Sequence, residues 1–349
     1  MSAAMWKSSS SGNNTGASLF KREAHEEVQN MKVVITDYQY ENIHTERAII
    51  EGTGYTLLSY QEKEPARLIP LLRDADAVIT QYSSIDRNVI ESLDHCKMII
   101  KYGIGVNNID VDAATERGIY VCNVPDYGVE EVSDHAVTML LALGKKLPIL
   151  TGALRKGDWG YSSVVPLRRL SECTVGLVGF GRIPQMVARK LSGFGMRLIA
   201  YDPWGSEERA RELRVTLTDM DTIYAEADFI SLHCPLTRET THMINAEALQ
   251  KMKPTAFLIN TARGPIIDEM ALIAALRSGE IAGAGLDVFE NEPVAADSPL
   301  LRMDNVIATP HSAWYSETAI AALQRKVAEE VVNVLGGNPP FHNVNLRGV

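Results

Sequence analysis

Long apolar runs are absent from this sequence of 349 residues. The most extended apolar stretch, residues 136–143, is far shorter than the roughly 20 residues that a membrane-spanning helix needs. Residues 1–30 lack the apolar core of a secretion signal, and we interpret them as a disordered extension or a cloning remnant. No block of Lys and Arg is long enough to follow a nucleic-acid backbone, and 34 Lys and Arg against 44 Asp and Glu give a net charge of -10. We therefore expect a cytoplasmic protein that contacts neither a membrane nor nucleic acid directly.

Cysteine is also scarce, and the four cysteines lie far apart: Cys96, Cys122, Cys173 and Cys234. They form no Cys-x-x-Cys pair, and no series of histidines at metal-ligand spacing lies near them. The sequence therefore predicts neither disulfides nor a metal site, and it fits a reducing cytoplasm.

Two series of short apolar runs alternate with segments of helical length. The first series extends from residue 32 to residue 122, and the second extends from residue 175 to residue 308 with six strand-like runs. Such alternation predicts parallel sheets covered by helices. The predicted fold class is α/β, with two Rossmann-like or flavodoxin-like domains, and the six runs are typical of a doubly wound nucleotide-binding sheet.

The predicted domains are discontinuous in sequence. Residues 132–143 are apolar enough for a long buried helix, and we place the crossing between domains there. The last helix, at about residues 317–334, is expected to return to the first domain. This assigns 31–130 and 311–349 to a substrate-binding domain and 131–310 to a nucleotide-binding domain.

A glycine-rich segment, Gly-Phe-Gly-Arg-Ile-Pro at positions 179–184, lies between an apolar run and a helical stretch. Gly179 would allow a tight turn and Gly181 the close approach of a pyrophosphate, which the backbone N–H groups of Arg182 and Ile183 would bind at the helix start. Taken alone, the pattern also fits a tight turn before a helix with no bound ligand.

Asp202 strengthens the nucleotide interpretation. It ends the next apolar run, 202 minus 181 or 21 residues after Gly181, where a carboxylate can bind a ribose diol. The same carboxylate would repel a 2'-phosphate, so the sequence favours NAD over NADP. Pro184 stands where Gly or Ala is usual; proline is tolerated in a first helical turn, but it restricts Ile183, and we expect the helix to start late.

Three residues further along suit the reduction of a 2-oxo acid. Arg263 offers a planar bidentate group for the carboxylate, and His311 can act as general acid because histidine titrates near neutral pH. Glu292 is expected to pair with His311 and keep it protonated. Each residue also has a purely structural interpretation. Arg263 would cap a strand end, His311 would be a buried histidine, and Glu292 would be a solvated loop acid. Arg263 and His311 each follow an apolar run, at the sheet edge where open α/β folds bind ligands.

Six motifs occur in a recognisable order from about Met31 to the C-terminus: residues 103–110, 179–184, 232–237, 260–264, 286–289 and 310–316. In this order they resemble the D-isomer-specific 2-hydroxyacid dehydrogenases, and within that family most of all the C-terminal binding protein branch. The resemblance implies that the arginine, the glutamate and the histidine described above form the catalytic set and that NAD is the cofactor.

Further cofactor contacts are implied by the same resemblance. Asp287 would bind the nicotinamide carboxamide, Thr261 would contact the cofactor, and His233 would shape the adenosine side. We interpret His135 as a helix-packing residue.

The substrate contacts are implied in the same way. The backbone of Ile104 and Gly105 would bind the substrate carboxylate together with Arg263. Lys101 stands where the C-terminal binding proteins have an arginine, which removes a bidentate group and can alter substrate preference. Trp314 would form a wall of the substrate pocket or would simply pack at the front of the last helix.

The predicted function is an NAD-dependent oxidoreductase that interconverts a 2-oxo acid and a D-2-hydroxy acid. The alternative is an NADH-sensing interaction protein of the corepressor type, like the C-terminal binding proteins, with little turnover. The resemblance also implies a homodimer built around the nucleotide domains, with Trp159 and Tyr161 as candidate contact residues.

Overall fold

The computed structural model describes residues 31–345, which form two compact units. Unit 2 comprises Pro125–Ile320, and unit 1 comprises the described residues on either side of it. The division therefore lies before the long helix, whereas the predicted crossing lay within it. Trp314 belongs to unit 2, where it packs against Gly128 and the ring of Tyr127. The interpretation of residues 1–30 lies outside the described residues.

Among the described residues, unit 1 contains a five-stranded parallel sheet of order β2-β1-β3-β4-β5. Its strands are β1 (Lys32–Ile35), β2 (Thr56–Ser59), β3 (Ala77–Thr80), β4 (Met98–Lys101) and β5 (Tyr120–Cys122). Its helices are α1 (His44–Glu51), α2 (Pro65–Leu72), α3 (Arg87–Glu91) and α4 (Val111–Glu116). Strands β3 and β4 are buried throughout, which explains the apolar run over the first three residues of each.

Unit 2, all of whose residues are described, contains a seven-stranded parallel sheet of order β12-β11-β10-β9-β6-β7-β8. Its strands are β6 (Thr174–Val178), β7 (Arg197–Tyr201), β8 (Val215–Leu217), β9 (Phe229–Leu232), β10 (Phe257–Asn260), β11 (Gly283–Leu286) and β12 (Val306–Ala308). The two parallel sheets confirm the predicted fold class. The prediction of six strands missed β8, an edge strand of three residues.

The remaining helices follow in chain order. They are α5 (Val129–Gly144), α6 (Leu147–Arg155), α7 (Arg182–Leu191), α8 (Glu207–Glu212), α9 (Met220–Glu226), α10 (Ala246–Gln250), α11 (Glu269–Ser278) and α12 (Glu317–Leu335). Helix α5 lies close against β11, because a Cβ on Gly285 would be 3.1 Å from the Met139 side chain.

The order of the large sheet reverses at β6, which pairs with β7 on one side and β9 on the other. In open α/β sheets, ligands bind at the carboxyl ends of the strands beside such a reversal. The fold therefore predicts a ligand site formed by the loops that follow β6, β7 and β9.

Within residues 31–345, no single helix has both the length and the apolar character needed to cross a membrane. The pair α5 and α6 meets that test only when taken together, by length and composition, and is bent by 58°. In the same residues, no group of His, Cys, Asp and Glu side chains could hold a metal ion, and the four cysteines are free.

Candidate active site

Six strands of the large sheet lead directly into predicted site residues. These are Gly179 after β6, Asp202 after β7, His233 after β9, Thr261 after β10, Asp287 after β11 and His311 three residues after β12. Because the strands are parallel, all six residues lie at the same edge of the sheet.

The glycine-rich turn is shaped to admit a ligand. Gly179 has a φ of 96°, and a Cβ there would lie 3.0 Å from the backbone of His233 and Cys234. A side chain at this position would therefore be strained and crowded. A Cβ on Gly181 would meet nothing within 4 Å, so the space before α7 is open.

Helix α7 begins at Arg182, so the expectation of a late start is wrong. Pro184 is the third residue of the helix, where a backbone N–H has no intrahelical partner in any case. The first intrahelical bond follows at once, from Gln185 N to Gly181 O at 3.1 Å. The N–H groups of Arg182 and Ile183 thus begin the helix, where the positive end of its dipole favours a phosphate.

Asp202 joins the end of β7 to the glycine-rich turn. One carboxylate oxygen accepts the N–H of Phe180 at 2.7 Å, and the other accepts the N–H of Trp204 at 2.8 Å. A carboxylate has about four acceptor positions, so both oxygens keep capacity for ribose hydroxyls.

Two other predicted contacts agree with a nucleotide site. The hydroxyl of Thr261 is buried and has no hydrogen-bond partner in the protein, a costly arrangement that a bound ligand can relieve. His233 Nε2 lies 2.9 Å from the Ser231 hydroxyl. Burial lowers the pKa of His233 to about 3, so this imidazole is neutral at physiological pH. It is therefore suited to packing beside a ligand and not to proton transfer. The residues present therefore fit NAD.

Asp202→Asn tests the basis of cofactor preference. The substitution removes the charge that disfavours a 2'-phosphate and keeps the side-chain size, so we expect NADH to bind about 10-fold more weakly and NADPH more tightly. Titration of both nucleotides by fluorescence measures the effect. Asp221→Asn, which changes an exposed carboxylate of α9, is the control. A wild-type protein that binds NADPH as tightly as NADH would contradict the role assigned to Asp202.

His311 and Glu292 form a direct pair. His311 Nδ1 lies 2.7 Å from Glu292 Oε2, and both side chains are about one-third exposed. The backbone of His311 has a φ of 51°, in the left-handed region that residues other than glycine seldom adopt. Its N–H donates to Asp287 O at 2.8 Å. Such a conformation persists only where neighbouring contacts impose it.

Glu292 is held as a carboxylate. Burial raises the pKa of Glu292, but the hydrogen bond and charge of His311, the N–H of Phe289 and the charge of Arg263 outweigh burial, so the pKa falls below its ordinary value of 4.5. The Phe289 N–H donates to Glu292 Oε1 at 3.1 Å. The charge of Arg263 also acts on Glu292, and the joint arrangement of the arginine, the glutamate and the histidine stays a prediction.

The loop that carries Arg263 is fixed by its own polar groups. The Asn260 amide donates to Arg263 O at 2.8 Å and accepts the N–H of Ala262 at 3.0 Å. The guanidinium donates to Ala262 O at 2.6 Å. A Cβ on Gly264 would lie 1.8 Å from Phe289 O, so only glycine lets this loop approach the segment that leads to Glu292.

Trp314 packs against the turn of His311. Its indole N–H donates to His311 O at 3.0 Å, and its ring centroid lies 6.3 Å from that of Tyr127. These contacts support the packing interpretation, while the predicted role as a wall of the substrate pocket stays a prediction.

In unit 1, the predicted substrate residues follow β4. Lys101 Nζ donates to Gln81 O and lies 5.3 Å from the centre of the Tyr82 ring. The Asn123 amide donates to Ile104 O at 2.7 Å and so restrains the turn that contains Gly105. The charge of Lys101 is therefore directed to the loop that follows β3.

Sequence reasoning missed Asp37, which organises that same loop. Its buried carboxylate accepts the N–H groups of Gln81 at 3.0 Å and Tyr82 at 2.8 Å and the Ser83 hydroxyl at 2.7 Å. Burial raises the pKa of Asp37, but these hydrogen bonds outweigh burial and lower it. The only signal in the sequence is an acidic residue shortly after a buried strand.

The fold and this site define an NAD-binding oxidoreductase. Residues 137–313 match the NAD-binding domain of the D-isomer specific 2-hydroxyacid dehydrogenases. The chain is 40% identical over 287 residues to a glyoxylate reductase of Korarchaeum cryptofilum, which covers 81% of this chain and 86% of the relative. The chain belongs to the D-isomer specific 2-hydroxyacid dehydrogenase family, which confirms the predicted family and cofactor.

Two further comparisons agree with this assignment. A D-3-phosphoglycerate dehydrogenase of Methanocaldococcus jannaschii is 38% identical over 325 residues, which cover 91% of this chain but 60% of that longer relative. A D-lactate dehydrogenase from Aquifex aeolicus, solved with NAD and lactic acid, has a TM-score of 0.80 and 31% identity, and the match covers 88% of this chain and 96% of that one. The likeness to the C-terminal binding protein branch stays a prediction.

Proposed function

We propose that the protein is an NAD-dependent D-2-hydroxyacid dehydrogenase that interconverts a 2-oxo acid and a D-2-hydroxy acid. The observation that carries this proposal is the 2.7 Å pair of His311 and Glu292 at the same sheet edge as the glycine-rich turn. The backbone N–H groups of Arg182 and Ile183 would hold NADH at that turn, and NADH would supply the hydride.

His311 acts as the general acid in reduction and as the general base in oxidation. Its Nδ1 is engaged by Glu292, which leaves Nε2 to donate a proton to the substrate carbonyl oxygen. Glu292 is ionised at neutral pH, so it stabilises the protonated imidazole before transfer. A positioned acid of this kind contributes about 10²–10⁴-fold to the rate.

Arg263 binds the substrate carboxylate and polarises the carbonyl through its guanidinium. A planar group with several N–H donors suits both oxygens of a carboxylate better than a single ammonium. For unit 1, we retain the proposal that the backbone of Ile104 and Gly105 binds a carboxylate. The contacts of Lys101 with Gln81 and Tyr82 support a role in shaping that unit's loops.

The substrate is proposed to be a small 2-oxo acid, because the glyoxylate reductases match over most of their length. The test is NADH oxidation with glyoxylate, hydroxypyruvate, pyruvate and bulkier aromatic or thioether 2-oxo acids. We expect turnover with at least one of the small acids. If NADH binds but no acid is reduced, the enzyme proposal fails and the NADH-sensing interaction protein replaces it.

Glu292→Gln is expected to lower kcat and to remove an acid-sensitive contribution to stability. The pKa of Glu292 in the folded protein is below its ordinary value of 4.5, so the stabilisation is fully present above that pH. It is lost as the pH falls through the lowered pKa. Thermal unfolding of wild type and variant between about pH 7 and about pH 3 should therefore show a Tm difference that closes on acidification.

The matched control for that comparison is Glu247→Gln, at an exposed carboxylate of α10. It should give a small Tm difference and unchanged kcat. A difference between wild type and Glu292→Gln that widens in acid would contradict the argument.

We also propose a homodimer, supported by an exposed apolar segment in unit 2. No residue of α6 is buried, and Trp159 and Tyr161 are 89% and 78% exposed. Large exposed apolar surfaces of this kind mark interaction sites. Light scattering should give twice the chain mass of 38.4 kDa, and Trp159→Glu should yield monomers.

A further inference from the structure

His135 makes a polar contact that the helix-packing interpretation did not include. Its Nε2 lies 2.9 Å from Thr309 Oγ1 and 3.7 Å from Asp287 Oδ1. The Thr309 hydroxyl lies 2.6 Å from the same Asp287 oxygen, to which it donates its hydrogen. Thr309 can therefore only accept from His135, whose Nε2 must carry a hydrogen, in the neutral Nε2–H form or as imidazolium.

Asp287 in turn holds the turn that carries His311. Its carboxylate is 1% exposed and accepts the N–H groups of Ser312 and Ala313, each at 2.9 Å. Its main-chain oxygen accepts the N–H of His311 at 2.8 Å. The orientation of this one residue thus fixes the backbone at His311 and at the two residues after it.

Helix α5 packs closely enough on β11 to affect the orientation of Asp287. Gly285, two residues before Asp287, lets the helix approach β11 at Met139, one helical turn from His135. Helix α5 makes a second contact with the segment that follows His311: the Ser316 hydroxyl donates to the Glu131 carboxylate at 2.6 Å.

We propose that His135 is a positioning residue for the acid–base histidine. It donates to Thr309, Thr309 donates to Asp287, and Asp287 holds His311 in its left-handed conformation against Glu292. His135 acts on His311 through Thr309 and Asp287 and is not itself a catalytic residue. This inference rests on the proposed function, and it adds a residue from α5 to the machinery that the reaction needs.

The test compares His135→Leu, which removes the donor, with His135→Gln, whose amide can restore it. His135→Leu should lower kcat about 10- to 100-fold, because small displacements of a catalytic group have effects of that size. His135→Gln should recover most of the loss. Thr309→Val should resemble His135→Leu, and the double variant should be no worse than either, as expected for one chain of contacts.

Thr138→Val, at an exposed position of the same helix, controls for general damage to α5. If His135→Gln is as slow as His135→Leu, or if the losses of His135→Leu and Thr309→Val multiply, the inference is overturned.

A readout other than turnover separates this inference from the proposed function. The ring chemical shifts of His311 in NMR spectra, assigned by their loss in His311→Asn, should change in His135→Leu and return in His135→Gln. Unchanged shifts in His135→Leu would refute the positioning role. Absence of 2-oxo acid reduction in the wild type would instead refute the proposed function.

Discussion

Replacing His311 with asparagine is expected to lower kcat for 2-oxo acid reduction by about 10²–10⁴-fold, because the proton donor is removed. Asparagine is chosen because it tolerates the left-handed backbone better than most residues, and His311 has a φ of 51°. The contacts of Asp287 with the turn use backbone groups, so they should persist. Steady-state kinetics and NADH titration measure the two effects, and the NADH Kd should stay near the wild-type value.

The matched control is His95→Asn, at a half-exposed histidine of unit 1 that lies 3.6 Å from Asp76. It should leave kcat unchanged. His311→Ala should lose as much activity as His311→Asn and in addition unfold at a lower temperature, since alanine is less tolerant of a positive φ. Turnover that survives in His311→Asn would remove this histidine from the acid–base role.

The strands that were predicted well share a physical cause. Buried parallel strands are apolar on both faces, so β3 and β9, each with three apolar residues among four, stand out in the sequence. Strand β8 has one exposed residue among three and lies at the sheet edge, so neither its length nor its pattern distinguishes it from a loop. Sequence therefore predicts the centre of such a sheet better than its margins.

The error at Pro184 has a local explanation. A proline ring normally collides with the carbonyl four residues earlier, which here belongs to Phe180. Phe180 precedes the helix, and its carbonyl accepts the side-chain amide of Gln185 at 2.8 Å. The restriction that proline places on Ile183 is a preference, and the geometry of the glycine-rich turn overrides it.

The candidate site was predicted where chemistry follows directly from a strand end, as for Asp202. It was not predicted where function depends on a distant partner. His135 and Thr309 are 174 positions apart, and Asp37 acts on a loop 44 or more positions away. No local pattern carries such a pairing, so these contacts became visible only in the structure.

Replacing Arg263 with glutamine is expected to lower kcat/KM by about 10²–10⁴-fold, because charge-assisted hydrogen bonds to the substrate carboxylate and carbonyl are lost. The arginine acts in both ground and transition states, so KM should rise and kcat should fall. Arg263→Lys keeps the charge without the bidentate group, and we expect it to lie between wild type and Arg263→Gln. Arg277→Gln, at an exposed position of α11, is the control.

Arg263→Gln should also alter the acid side of the pH profile. The charge of Arg263 is one of the causes that lower the pKa of Glu292, so its removal should raise that pKa. Glu292 would then be protonated, and would stop stabilising the charged imidazole, at a higher pH than in the wild type. Residual activity of Arg263→Gln should accordingly decline earlier on acidification, while Arg263→Lys should keep the wild-type profile. If both variants show the wild-type profile, the electrostatic coupling between Arg263 and Glu292 does not contribute to catalysis.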